Sequence, residues 1–151
     1  MPNKWKHPLS ALVLLHTADL HILLLERSID KGYWQSVTGS QEDQENLRDT
    51  ACRELYEETG IQVPCASLKD WHLCNRFEIF GQWRHRYAPD VTHNLEHVFS
   101  LQIADTSPIT LSTEEHQAYR WLPWQAAAEA VFSWTNRDAI LLLAKEHGVY
   151  P

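Results

Sequence analysis

Basic stripes, long apolar runs and a cysteine framework are all missing from this sequence. The formal net charge is −7, and no long stretch of Lys or Arg supplies the footprint of a general nucleic-acid binder. The apolar run Leu9–Leu15 is too short to cross a bilayer and has no small-residue cleavage site after it. It reads as a buried strand, neither a membrane span nor a secretory leader. Cysteine is sparse: Cys52, Cys65 and Cys74 are an odd count without metal-site spacing. They are expected to be reduced thiols in a cytoplasmic protein. Repeats, linkers and low-complexity segments are absent as well. With 151 residues and 44% hydrophobic content, residues 1–151 are expected to form one domain able to bury a core.

What is present is concentrated between Gly39 and Ile61. From Asn46 to Thr59 the chain is rich in Leu, Arg and Glu, lacks Pro and Gly, and stops at Gly60, which predicts a helix. Leu47, Ala51 and Leu55 recur at i, i+4 and i+8 as a core-facing stripe. Glu54, Glu57 and Glu58 stand at i, i+3 and i+4, so three carboxylates share a face and repel one another. Such a face is either a solvated surface or a site for a hard divalent cation, which takes oxygen ligands and bridges carboxylates to phosphates.

Around this helix the pattern alternates. Leu9–Leu15 and His21–Leu25 predict a strand, turn and strand, and further strands are expected from Trp71 to about Trp83, near Glu96–Ile103 and at Tyr119–Leu122. Helices are expected over Trp124–Phe132, after Pro123, and over Asn136–Lys145, capped by Thr135. Strands flanking a central helix, with two helices at the end, fit an α/β arrangement whose sheet is covered on both faces.

Taken together, Gly39, Glu45, Arg53, Glu54, Leu55, Glu57, Glu58, Gly60 and Ile61 spell G-x5-E-x7-R-E-U-x-E-E-x-G-U, where U is a bulky aliphatic residue. The chain thereby resembles the Nudix hydrolases, which cleave nucleoside diphosphates linked to another moiety. The resemblance implies an α/β/α sandwich with a mixed β-sheet. It also implies Mg²⁺ (or Mn²⁺) held by Glu54, Glu57 and Glu58, and a brace between Glu45 and Arg53 that fixes the loop to the helix. Many members carry Gly where Gln44 stands, so a turn needing positive φ there would strain Gln44 or take another path. The base that accepts a proton from water is a glutamate in the box or downstream. Glu58 qualifies, while Glu115 is preferred as base or further metal ligand, with Glu114 as its rival.

Outside the box, Trp34–Ser40, Phe77-Glu78-Ile79-Phe80, Arg84–Pro89 and Ser133–Arg137 resemble a bacterial branch of the family in the folate pathway. That branch removes pyrophosphate from 7,8-dihydroneopterin 3′-triphosphate; members acting on (deoxy)nucleoside triphosphates are the alternative. The expected partner is thus a small pterin or nucleoside triphosphate, with neither a nucleic acid polymer nor a membrane involved. Lys6 and Arg27 are candidates for phosphate contacts, since a planar guanidinium suits that group. Thr38 and Ser133 are candidate polar contacts. Phe77 and Phe80, in the stretch with Ile79, offer stacking faces, as does Trp34 unless it is core, and Glu78 offers an acceptor for ring N–H groups. A silent Nudix domain serving as a nucleotide sensor is a reading of another class, and the intact glutamates argue against it.

Overall fold

The computed structural model describes residues 5–150. Seven strands form one mixed sheet among the described residues: β1 (Leu9–His16), β2 (His21–Arg27), β3 (Trp34–Gln35), β4 (Val37–Ser40), β5 (Lys69–Glu78), β6 (His93–Gln102) and β7 (His116–Pro123). Its main order is β3-β2-β1-β6-β5, with β4 also on β1 and β7 also on β2. The parallel pair is β1 with β6, in register from Leu9↔Leu95 to His16↔Gln102. The sheet is forked. β1 meets β2 only at His16↔Ile22, and its residues Ser10 to Val13 pair instead with β4.

Because side chains alternate along a strand, β1 feeds two cores. Ala11, Val13 and Leu15 face one way, with Leu23, Leu25 and Phe99, against α1 (Leu47–Thr59). Leu12 and Leu14 face the other way, with Ile22, Leu24 and Val98, against α2 (Trp124–Ala130) and α3 (Trp134–Glu146). This is the expected α/β/α sandwich. Ala51 and Leu55 of α1 are fully buried, as their spacing predicts. Asn46 caps α1 by accepting from the Asp49 N–H at 2.9 Å. Gly60 ends it in the left-handed conformation (φ 78°), where a side chain would be strained.

Several expectations need correction. Cys52 and Cys65 are not free thiols: they form a disulfide, their Cα atoms 5.4 Å apart, and Cys74 alone is a thiol among the described residues. The bond ties α1 to a 3-10 turn at Cys65–Ser67, a proximity set by tertiary packing and invisible in the spacing. Strand β5 ends at Glu78, short of Trp83, because the chain turns into a 3-10 helix over Gly81–Arg86. Strand β6 starts earlier than expected, at His93, where it pairs with Glu78. Helix α3 begins at Trp134 with Ser133 at the cap position, so Thr135 lies inside the first turn and is buried. In the box loop the positive φ falls on Asp43 (48°) and Gln44 escapes it. Asp tolerates this conformation better than most residues, because its short side chain bonds locally. No helix among the described residues is long and apolar enough to cross a membrane.

Candidate active site

The three helix glutamates do not share one environment. Glu54 and Glu58, one turn apart, point toward the sheet and are 8% and 0% exposed, whereas Glu57 is exposed. Arg53 gathers this end of the helix. Its Nε and Nη2 donate to both oxygens of Glu45, at 3.2 and 2.6 Å, and Nη2 also donates to the Ser40 carbonyl at 3.0 Å. Its Nη1 donates to Glu54 at 2.7 Å and Glu57 at 3.2 Å. The fork on Glu45 is the brace expected from the sequence, and its hydrogen bonds hold the Glu45 carboxyl down at about 2.

Glu58 is a fully buried carboxyl. Neither of its oxygens has a donor in hydrogen-bond geometry among the described residues. Burial, followed by the nearby Glu54 and Glu115 carboxylates, pushes its pKa well above the usual range. Burial raises the Glu54 carboxyl as well, so the two neighbouring carboxylates are costly to keep charged together. Strand β7 and the loop before it bring Glu115 and His116 to the same place. One ligand atom each of Glu58, Glu115 and His116 lie within 4.8 Å of one another. A buried carboxylate lacking donors, facing further carboxylates, is the donor set that a divalent cation satisfies.

His116 was not singled out in the sequence. Burial, with the charge of Arg27 nearby, lowers its pKa to about 4, so the ring is neutral. With the Gln35 amide donating to Nε2 (3.1 Å), the ring proton sits on Nδ1, 3.7 Å from Glu58 Oε1. Its only sequence signal is adjacency to Glu115.

The carboxylates open onto a cleft of about 890 Å³. Gly39, Thr38, Glu54, Glu114 and Glu115 line one end. Lys6, Arg27 and Arg86 line it too and set cationic groups beside the carboxylates; burial, then Arg86 and Arg27, depress the Lys6 pKa to about 8. Arg27 is held by Asp30 at 2.9 Å and lies over the Trp83 ring, 4.5 Å from its centre. The Thr38 hydroxyl donates to the Ala11 carbonyl at 3.1 Å, which leaves its lone pairs as acceptors.

The other end is an aromatic chamber. Phe77, Phe80, Trp83 and Phe132 line it, with Phe80 and Trp83 stacked at 5.1 Å and 10°. Strand alternation would have exposed one of Phe77 and Phe80. Both line the cleft because β5 ends between them and Ile79 turns inward, 4% exposed. Ser133 joins the lining, its hydroxyl 2.8 Å from that of Thr135. Glu78 does not: it is exposed and outside the cleft lining, since it alternates with Phe77 on the strand. Trp34 likewise packs against the core beneath Arg120 and stays out of the cleft.

Sequence reading missed the chamber's floor, made by Ser10, Asn94 and Glu96. The signal was there: Asn94, Glu96 and Val98 alternate onto one face of β6, so two polar residues occupy inward positions.

This fold and cluster of carboxylates define a metal-assisted phosphohydrolase of the Nudix class. The NUDIX domain model matches residues 6–143, and the chain belongs to the Nudix family of enzymes. It is 43% identical over 139 residues to the dihydroneopterin triphosphate diphosphatase of Escherichia coli, covering 90% of this chain and 91% of that one. The enzyme of the same name from Haemophilus influenzae is 36% identical over 140 residues, covering 91% and 87%. The solved structure of the E. coli dihydroneopterin triphosphate pyrophosphohydrolase superposes with a TM-score of 0.89 at 41% identity, over 95% of this chain and 99% of that one. A Nudix structure from Listeria monocytogenes shares the fold at 22% identity (TM-score 0.75; 95% and 97% covered).

Proposed function

We propose that this protein is a Mg²⁺-dependent pyrophosphohydrolase that converts 7,8-dihydroneopterin 3′-triphosphate to the monophosphate and pyrophosphate, in folate biosynthesis. On this reading it works in the cytoplasm as a single domain. The supporting observation is one cleft that joins a carboxylate cluster to an aromatic chamber, in a chain whose relatives at 43% and 36% identity are diphosphatases for that substrate.

Glu54, Glu57, Glu58 and Glu115 are the residues that would hold the cation. When bound, it supplies neutralisation of the triphosphate charge and a lower pKa for the attacking water. Lys6 and Arg27 bind and orient the phosphates; Arg27, fixed by Asp30, is the more rigid of the two. Arg53 and Glu45 hold the loop that carries Ser40 against α1, and so position Glu54. The exposed carboxylate of Glu115 takes the proton from water, while buried Glu58 is too isolated from solvent to release one quickly. Phe77 and Phe80 present faces to the pterin ring, with Thr38 and Ser133 as polar contacts.

The test is product analysis on a panel of triphosphates with Mg²⁺. The pterin compound should be cut fastest, giving pyrophosphate and a monophosphate. Orthophosphate as the first product, or a deoxynucleoside triphosphate turned over faster than the pterin, would overturn the assignment.

A further inference from the structure

The floor of the aromatic chamber holds polar groups that the hydrolytic reaction does not use. Asn94 and Glu96 are 3% and 6% exposed, and both line the cleft. The Asn94 amide donates to Ser10 Oγ at 2.7 Å, leaving its own oxygen without a partner among the described residues. Glu96 Oε1 is likewise unpartnered, while the Thr135 hydroxyl lies within hydrogen-bonding reach of the same carboxylate. A buried acceptor without a donor costs free energy, so a chamber that keeps two of them side by side is built for a ligand that brings N–H groups.

We propose that Glu96, with Asn94 beside it, reads the amino and ring N–H edge of a 2-amino-4-oxo heterocycle and thereby sets which ring this enzyme accepts. The proposal rests on the reading of the site as one for a heterocyclic triphosphate. The 2-amino group and the neighbouring ring N–H of a pterin present two parallel donors. One carboxylate accepts both, in the same geometry by which it accepts an arginine fork. Phe80 and Phe132 line the same chamber, packed edge to face at 5.6 Å, and offer a flat ring apolar surface while Glu96 meets its edge. The Thr135 hydroxyl reaches the Glu96 carboxylate and is itself 2.8 Å from that of Ser133, so the carboxylate has a fixed neighbour before the ring arrives. A ring lacking the 2-amino group keeps the ring N–H but leaves one oxygen of buried Glu96 without its donor, which is how a polar pocket rejects a near-isostere.

The experiment compares kcat/KM for two substrate pairs that differ only by the 2-amino group: dihydroneopterin triphosphate against its 2-deamino analogue, and dGTP against dITP. Wild-type enzyme should prefer the amino-bearing member by roughly 10- to 100-fold, the loss of charge-assisted bonds appearing in KM. Glu96→Gln should bring the ratio close to one. Glu57→Gln, as a control on the hydrolytic end, should slow both members alike and keep the ratio. If the pterin triphosphate proves not to be a substrate while the purine pair shows the Glu96-dependent preference, the functional reading fails and this inference stands. Equal kcat/KM within both pairs for the wild type, or a preference that survives Glu96→Gln, would overturn it, and the wild-type comparison decides even if the variant does not fold.

Discussion

Glu54 stands where a side chain on Gly39 would have to go. A Cβ built on Gly39 falls inside the Glu54 carboxylate, so the first residue of the box is glycine for space; its φ is not in the left-handed region. Gly39→Ala should therefore leave the fold largely intact and push Glu54 off its position. A displacement of about an ångström costs on the order of 10²-fold in rate. The check is kcat beside a thermal melt; wild-type turnover in the alanine variant would show that Glu54 need not sit there.

Glu58 predicts a metal effect on stability. Its buried carboxyl, raised well above the usual range mainly by desolvation, has no donor among the described residues, and a divalent cation would relieve that. Mg²⁺ should raise the melting temperature, and the gain should grow with the logarithm of its concentration. Glu58→Gln mimics the protonated acid, so in chelator it should melt no lower than wild type and should gain little from Mg²⁺. A variant stabilised by Mg²⁺ as much as wild type would remove Glu58 from the cation site.

Both Glu114 and Glu115 line the cleft, yet only Glu115 approaches Glu58 and His116. Glu115→Gln should lower kcat by roughly 10²–10⁴-fold with KM little changed, as for the loss of a positioned base. Glu114→Gln should do little. Reversal of the two results would assign the role to Glu114, and wild-type rates in both would return it to Glu58.

Glu96 makes stability depend on pH. Burial lifts its carboxyl from 4.5 to about 7, so the folded state binds this proton more tightly than the unfolded chain does. Its contribution is complete below pH 4.5 and is lost as pH climbs toward about 7. The loss amounts to about 3 kcal/mol. Glu96→Gln should gain on wild type by up to that amount across this window, measured by denaturant unfolding at several pH values. Parallel stability curves would show that Glu96 titrates normally.

The helix that carries the carboxylates was legible in the sequence almost to the residue, because its apolar stripe and terminal glycine are local signals. The brace of Arg53 on Glu45 was implied by the resemblance to the Nudix box, and the hydrogen bonds between them are there. Glu115 was picked from a loop beside a short strand, and the structure sets it near Glu58 and His116. What escaped was set by packing between distant segments. The Cys52–Cys65 bond depends on a turn folding back on α1. Glu78 and Phe80, equivalent as part of one strand-like run, part ways where that strand ends. Glu96 is an acid at an inward register position of β6, a signal carried by strand alternation and not by the box.

The fork of the sheet has a further consequence. Since β1 pairs with β4 over Ser10 to Val13 and meets β2 only at His16, the sheet splits beside the cleft, whose lining draws residues from both faces. On the proposed reading, the ring is read on the α3 side and the triphosphate is cut on the α1 side. The span between them is then metered by backbone hydrogen bonds, which side-chain replacements do not alter. Evolution of such a molecule can retune the ring it accepts by changing floor residues such as Glu96, while the point of scission along the phosphate chain stays where the strands have set it.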